Sequence, residues 1–459
     1  LHDDFGRLLE SRQFCDLRFL IGKDKVPIYA HIPIVAARSA FLRNRIKESR
    51  EQVSVFDDDH ALPLAVELEQ AASCARSAPV SARAGSSSSS CQLSASPSNS
   101  SFNGSKGYDP NVLDVAVPDA EPFAFEMVLA YIYTDKIDPT QRGQEPMSNA
   151  VVLLMMAVYR LALQFSMKRL EGLAVQYLQS TIGLKNVLVA LQSASRLNLT
   201  YVKEYCLKFI IKESNYNQIV MSKEFETLEQ PLMVEIIRRR QVPSVRPLQE
   251  QPGLRLEGPT LEDDMRSFLE DDVGRDFCDI TLFSNDISIP VHKVILAARS
   301  KYFEVMFRNW MPESSMIQVS LGDIVPSAQA FKSLLRYIYY GRTEMPPEDS
   351  LFLFAAPPYY GFSNNRLQVY CKENLETNIR TENVLDILEA ADKIQANEMK
   401  RHALNIIVEH FSRVANLSKM QSLSRQLLLD IIAAVAEGSK IFSGGESTAG
   451  PVDSLELQN

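Results

Sequence analysis

Cys15-Asp16 and Cys278-Asp279 are each followed by a histidine, His31 and His292, with Lys293 next to the second. Thiol, carboxylate and imidazole groups build metal sites and acid–base pairs, so chemistry is sought here first. The spacing argues against it. Cys15, Cys74, Cys91, Cys206, Cys278 and Cys371 include no C-x-x-C pair and no histidine at zinc-finger distance, so no metal site is expected. With no signal peptide in view, reduced thiols are the simpler state. His402 and His410 fall on one predicted helix without a matching ligand pair. A phosphate-binding G-x-x-x-x-G-K-[ST], a G-x-S-x-G elbow and an H-E-x-x-H helix are all missing, so neither catalysis nor a cofactor is expected. The plainer role is that Asp279 caps a turn and His292 satisfies backbone groups between a strand and a helix. Asp16 and His31 repeat that arrangement, although Ile32 stands where the other copy has Lys293.

These residues recur because the chain is nearly duplicated. Phe14-Cys15-Asp16-Leu17, His31 and Ala36-Ala37-Arg38-Ser39 are answered by Phe277-Cys278-Asp279-Ile280, His292 and Ala297-Ala298-Arg299-Ser300. Tyr131-Ile132-Tyr133 is answered by Tyr337-Ile338-Tyr339, and Asn186-Val187-Leu188 by Asn383-Val384-Leu385. Repeats of 20–50 residues would mean a solenoid, whereas this unit is a duplicated domain set at roughly two hundred residues. The 459 residues, 46% hydrophobic and 23% charged, allow three or four ordinary globular domains. A net charge of −9 argues against broad phosphate-neutralising nucleic-acid binding, and neither a sustained heptad repeat nor a basic region is present. Scarce Gly and a single Trp disfavour a β-propeller within this span. No apolar run approaches a membrane span; the stretch 151–158 is stopped by Arg160.

Each copy reads as a small α/β head followed by a helical body. In the second, Met265, Phe268 and Leu269 make one face of a short amphipathic helix. Ile280–Phe283 and Ile287–Val291 form a hairpin across Ser284-Asn285-Asp286, with Pro290 at a strand end or edge. A short helix over 294–298 precedes another capped by Ser300 and carrying Tyr302, Phe303, Met306 and Phe307. Phe331, Leu334, Leu335 and Ile338 mark a further helix that Gly341 stops. Helices dominate from Ser350 onward, with Tyr359-Tyr360 expected to pack the hinge between head and body. Arg238-Arg239-Arg240 reads as the solvated end of a helix.

In this order, Phe277-Cys278-Asp279-Ile280, Pro290-Val291-His292-Lys293, Ala297-Ala298-Arg299-Ser300, Tyr302-Phe303, Met306-Phe307 and Tyr337-Ile338-Tyr339 resemble the BTB (POZ) domain, and the helical bodies resemble the BACK domain that trails it. The implied fold is α+β, mostly α, with two BTB domains each followed by an all-helical BACK domain. The first BTB domain is expected over 1–140, with a disordered Ser-rich insertion at about 70–108, and the first BACK domain over 146–240. A Pro-rich linker spans 241–261, the second BTB domain 262–346, the second BACK domain 347–437 and a disordered tail 438–459. The chain opens at Leu1 rather than Met, so an upstream part, by resemblance a kelch propeller, is expected to be missing.

The resemblance implies a non-catalytic adaptor that pairs as a homodimer through its BTB domains and recruits a cullin-3-type scaffold. Pairing is expected through Phe5, Leu8 and Leu9 in the first copy and Met265, Phe268 and Leu269 in the second. The family's hydrophobic–any–acidic cullin motif falls on Met311-Pro312-Glu313, with Phe307, Tyr340, Leu351 and Phe354 as further contacts. In the first copy the aligned spot is near Arg50, and Ile46-Lys47-Glu48 substitutes only if the helix is shorter. Asp279 and His292-Lys293 fall beside the family's dimer groove, where a partner peptide is the alternative to plain capping. Ras-type small GTPases as substrates, and a cytoplasmic site peripheral to Golgi or endomembranes, are implied as well. The other functional class kept open is a dimerising or corepressor-recruiting scaffold with no ligase role.

Overall fold

The computed structural model describes residues 1–58, 112–140, 145, 147–241, 256–284, 287–309, 315–319, 327–342, 347–393 and 395–443. The expected Ser-rich insertion, most of the Pro-rich linker and Met311-Pro312-Glu313 lie outside these residues.

The first unit opens with helix α1 (His2–Ser11), the hairpin β1 (Leu17–Ile21) and β2 (Val26–Ala30), then α2 (Ile32–Arg38) and α3 (Ala40–Asp58). Strand β3 (Leu113–Val117) returns parallel to β1, giving the order β2-β1-β3. Helices α4 (Pro122–Thr134), α5 (Asn149–Gln164) and α6 (Lys168–Thr181) follow, then α7 (Val187–Arg196), α8 (Thr200–Ile211), α9 (Glu213–Val220), α10 (Lys223–Glu226) and α11 (Gln230–Gln241).

The second unit repeats the head. Helix α12 (Leu261–Glu270) starts in a capping box between Thr260 and Asp263, and its acidic first turn suits the helix dipole. A 3-10 turn (Asp272–Phe277) leads to β4 (Ile280–Ser284), β5 (Ile287–Val291), α13 (Lys293–Arg299), α14 (Lys301–Asn309), β6 (Met316–Gln318) and α15 (Ala328–Tyr340). The sheet order β5-β4-β6 is that of the first unit, with Pro290 on the edge strand. Ser300 caps α14 through the Phe303 N–H at 3.3 Å, and Gly341 ends α15 at φ 76°, as expected. Then come α16 (Pro347–Tyr360), α17 (Arg366–Asn378), α18 (Val384–Lys393), α19 (Asn397–Glu409), α20 (Phe411–Val414) and α21 (Arg425–Ser443).

In both sheets the central strand alternates buried and half-buried residues, because one face rests on helices. Three strands alone would be marginal, so the helices supply the core. One apolar core runs from Phe5 through both heads and the first helical body to Cys371, and a second begins at Leu375 and ends at Ile431. The cores therefore divide within α17, past the boundary expected at 346/347, and α16 packs on α14 and α15 of the head as well as on α17. Tyr360 shows why, stacking on Phe303 of α14 at 5.6 Å while its carbonyl accepts the Ser300 hydroxyl at 2.6 Å. The disordered tail expected from 438 is corrected, since α21 continues to Ser443. A lone Gly438 costs a helix about 1 kcal/mol against Ala and does not end it. Helix α19 stops at Glu409, so His410 sits at a break and not on a helix with His402. Arg239 forks onto Glu204 at 2.5 and 2.7 Å, tying α11 to α8. The Arg238–Arg240 run is thus partly a packing device.

Candidate functional site

Each head holds the same polar cluster at the start of its second helix, its histidine and tyrosine buried, with Asp16 half-buried and Asp279 exposed. Asp16 Oδ1 accepts the Ile32 N–H and Asp279 Oδ1 the Lys293 N–H, both at 2.7 Å, satisfying a first-turn donor of α2 and α13. The backbone N–H of His31 donates to the Tyr133 hydroxyl at 2.9 Å, and His31 Nδ1 lies 2.7 Å from the same oxygen. His292 does this with Tyr339 at 3.0 and 2.8 Å. Nε2–H of His31 donates to the Gln13 carbonyl at 2.7 Å, and that of His292 to the Gly274 carbonyl at 3.0 Å. Those carbonyls fix the tautomer, so each Nδ1 accepts from its tyrosine.

Cys15 Sγ is 3.6 Å from His31 Nε2, and Cys278 Sγ 3.7 Å from His292 Nε2. Neither thiol can hand its proton to the histidine, because the facing Nε2 already carries the hydrogen it donates to the backbone carbonyl. Burial pushes both thiols up to about 11 and both imidazoles down to about 4, keeping each group neutral. The expected backbone-capping role of Asp279 and His292 therefore describes the geometry, and the tyrosine partners were not foreseen. Their signal was the Tyr-Ile-Tyr run in both copies. Among the described residues no group of His, Cys, Asp or Glu is placed to hold a metal.

The residues named for dimerisation come together inside one chain. Helix α1 packs on α13 of the other head, and α12 on α2, in reciprocal fashion. Phe5, Leu8, Met265 and Phe268 are buried there, with Leu9 and Leu269 half-buried. Phe268 also stacks on His292 of its own head at 4.8 Å. Gly274 makes room for this helix, since a Cβ there would meet the Phe268 carbonyl oxygen at 2.2 Å. At the contact Arg38 of α2 pairs with Asp264 of α12 at 2.5 Å, and Arg299 of α13 pairs with Asp4 of α1. Each arginine also donates from Nε to a carbonyl of its own head, Ile132 at 3.2 Å and Ile338 at 3.1 Å. Asp4 would rise on burial, but Arg299 overrides this and holds it low. Asp264 is pushed up to about 6 by burial, which Arg38 only partly counters. Farther out, Lys47 of α3 reaches Asp276 at 2.5 Å and Arg308 of α14 reaches Gln13. The faces expected to meet a second copy are thus covered within the chain.

The residues named for the cullin contact are scattered. Phe307 is corrected to a core position, stacked on Phe303 at 5.9 Å. Tyr340 is buried with its hydroxyl donating to Glu270 at 2.8 Å, and Phe354 is half-buried between the two cores. Leu351 lies in α16, its side chain outside the described residues. In the first head Ile46 is fully buried, so Ile46-Lys47-Glu48 presents no apolar plug, and Arg50 lies 5.1 Å over the Phe277 ring of the other head. The outer surface of α14 mixes the exposed Lys301, Arg308 and Asn309 with an apolar strip: Tyr302 is 38% and Val305 44% exposed, Met306 is half-buried, and Tyr359 sits 5.8 Å from Tyr302. The corresponding face of α3 carries Phe41, Asn44 and Arg45. The signal for this patch was the helical stripe of Tyr302, Phe303, Met306 and Phe307.

Residues 269–379, most of the second head together with α16 and α17, match a family described as BTB/POZ domain. The match runs through α16 and α17, in keeping with where the cores divide. The chain resembles leucine-zipper-like transcriptional regulator 1 along nearly its whole length, at 49% identity to the Homo sapiens protein over 438 residues, 95% of this chain and 47% of that protein. The Mus musculus protein is 48% identical over 437 residues, with the same shares, and the Drosophila melanogaster homolog 43% identical over 445, covering 96% of this chain and 42% of the homolog. The chain spans about half the length of the curated relatives it matches. A BTB/POZ domain and these relatives fit a protein-interaction adaptor or scaffold. Among the described residues no helix is long and apolar enough to cross a membrane.

Proposed function

We propose that the chain is the non-catalytic adaptor region of a cullin-3-type RING ubiquitin ligase, built from two BTB heads with BACK-type helical bodies. The apolar strip on the outer face of α14 carries this reading. Tyr302, Val305 and Met306 lead toward Met311-Pro312-Glu313, whereas the matching face of the first head is polar at Asn44 and Arg45. An apolar patch beside a carboxylate suits a helical partner, the patch giving affinity and the charge giving register. The second head recruits the scaffold and the first completes the intrachain pair. By resemblance, Ras-family GTPases are the substrates, held by a part of the longer protein beyond this span. Their ubiquitination damps Ras/MAPK signalling, at a cytoplasmic face of Golgi or endomembranes. The printed name of the relatives, a transcriptional regulator, favours a second reading, a corepressor-recruiting scaffold without ligase.

Capture of a cullin-3 amino-terminal region on immobilised chain tests the proposal. Val305→Asp, and separately Met311→Asp with Glu313→Lys, is expected to weaken capture at least about tenfold, some 1.4 kcal/mol, while Asn44→Asp leaves it unchanged. Equal capture by both second-head variants removes the proposed contact, and no capture by the intact chain favours the scaffold.

A further inference from the structure

The second head contains a groove that neither the pairing of the heads nor the α14 face uses. It lies between α12, α15 and α17, with a volume of about 640 Å³, and four arginines line it: Arg266, Arg336, Arg342 and Arg366. Among the described residues its lining carboxylate is Glu270, which accepts the Tyr340 hydroxyl at 2.8 Å and pairs with Arg336 at 3.1 Å. Arg266 lies 5.2 Å over the Tyr340 ring, so the cations are set on a fixed aromatic floor. Arg342 pairs with Glu262, outside the lining, at 2.7 Å. With Asp263 also close to Arg266 and Arg342, the four guanidiniums exceed the three described carboxylates by one charge.

The first head shows what the same place does when filled. Aligned through the Tyr-Ile-Tyr runs, Ala130 replaces Arg336 and Asp135 replaces Gly341, and with α1 laid on α12 through Leu8 and Phe268, Gly6 replaces Arg266. Arg169 precedes the first buried leucine of α6, as Arg366 does in α17, and pairs with Asp135 at 3.1 Å. Segment 256–260, neither helix nor strand, crosses this site. A Cβ on its Gly258 would stand 3.1 Å from the Arg169 backbone nitrogen and 3.4 Å from Lys168 Cβ. The first groove is therefore closed by a strip of the chain's own backbone, with its charge met internally. No described segment covers the second.

We propose that the second groove binds an extended acidic segment of a partner polypeptide, laid across α17 as residues 256–260 lie across α6. Carboxylates would take the forked donors of Arg266 and Arg366, and backbone would run over Tyr340. The probe is a fluorescein-labelled peptide of alternating Glu and Gly, read by anisotropy on the full chain. Binding is expected, with at least about tenfold loss in Arg266→Glu combined with Arg366→Glu, both exposed and tolerant of change. Arg238→Glu, on an exposed helix end elsewhere, and Val305→Asp, on the α14 face, should bind as the parent does. Thus this groove and the cullin contact fail independently. Equal binding by the groove variant, equal binding of a Gln-for-Glu twin peptide, or no binding by the intact chain would each overturn the proposal. So would stabilisation of the fold by inorganic phosphate without peptide binding, which would make the groove a small-anion site.

Discussion

The two heads share their buried polar chemistry and differ on their surfaces. Asp16, His31 and Tyr133 superpose in role on Asp279, His292 and Tyr339, although the accepting carbonyl comes from a left-handed loop at Gln13 in one head and a 3-10 turn at Gly274 in the other. What both heads keep by different routes is what the fold needs, the entry of a helix from a strand. What only one head has, the apolar α14 strip and the arginine groove, is available for partners. A duplicated chain thus carries its own internal control.

The pairing of the heads gives the largest expected effect. Arg38 and Arg299 are buried ion-pair partners of the opposite head, and removing one side of such a pair costs about 3–5 kcal/mol. Arg299→Ala and Arg38→Ala should cost alike, because in each a stranded carboxylate keeps another cation, Arg7 for Asp4 and Arg169 for Asp135. Urea midpoints at constant slope measure both, and a clear difference would break the comparison. Because the pairing lies within one chain, light scattering on Arg299→Ala should show no halving of mass.

Much of this was legible in the sequence and some was not. The repeated strings fixed two heads of one topology, and the strands, the Ser300 cap and the Gly341 stop follow from local chemistry. Where the cores divide was not legible, because α16 and α17 have the same apolar composition whether they close a head or open a body. Only packing decides, and Tyr360 packs on Phe303. Phe307 was named for the cullin contact because a motif places residues along the chain, not around a helix. The groove needed Arg266, Arg336 and Arg366 from three separate helices, and no spacing rule joins them.

Acid titration sharpens the comparison next. Histidines that stay neutral in the fold, at about 4 against an ordinary 6.5, bind protons more readily when unfolded. Their stabilisation is complete above pH 6.5 and is lost as the pH falls toward 4, by about 3 kcal/mol each. Asp16 acts oppositely: raised by burial to about 6, it takes up a proton in the folded state first, so lowering the pH from 6 to 4 adds about 3 kcal/mol. In the first head the two nearly cancel. Asp16→Asn keeps an oxygen for the Ile32 N–H but removes the titration, so stability should fall more steeply between pH 6 and 4, by about 3 kcal/mol over the window. Unfolding free energies at several pH values check this, and an unchanged slope would deny Asp16 its raised value.

The smallest effect tests the equivalence of the heads most directly. Tyr133→Phe and Tyr339→Phe each delete one hydroxyl that accepts a backbone N–H and donates to an imidazole nitrogen. Both tyrosines are fully enclosed, so water cannot replace the lost partner, and an unsatisfied buried polar group costs about 1–3 kcal/mol. The distances agree within 0.1 Å between heads, 2.9 and 2.7 Å against 3.0 and 2.8 Å, so the two losses should match. The surroundings differ in one respect: Phe268 stacks on His292, and Leu8 holds the corresponding place in the first head. Equal losses in thermal or urea unfolding would mean that the hydrogen bonds alone set the cost. A clearly smaller loss at Tyr339 would mean that the Phe268 ring holds His292 in place without the hydroxyl, and the two clusters would no longer count as one device made twice.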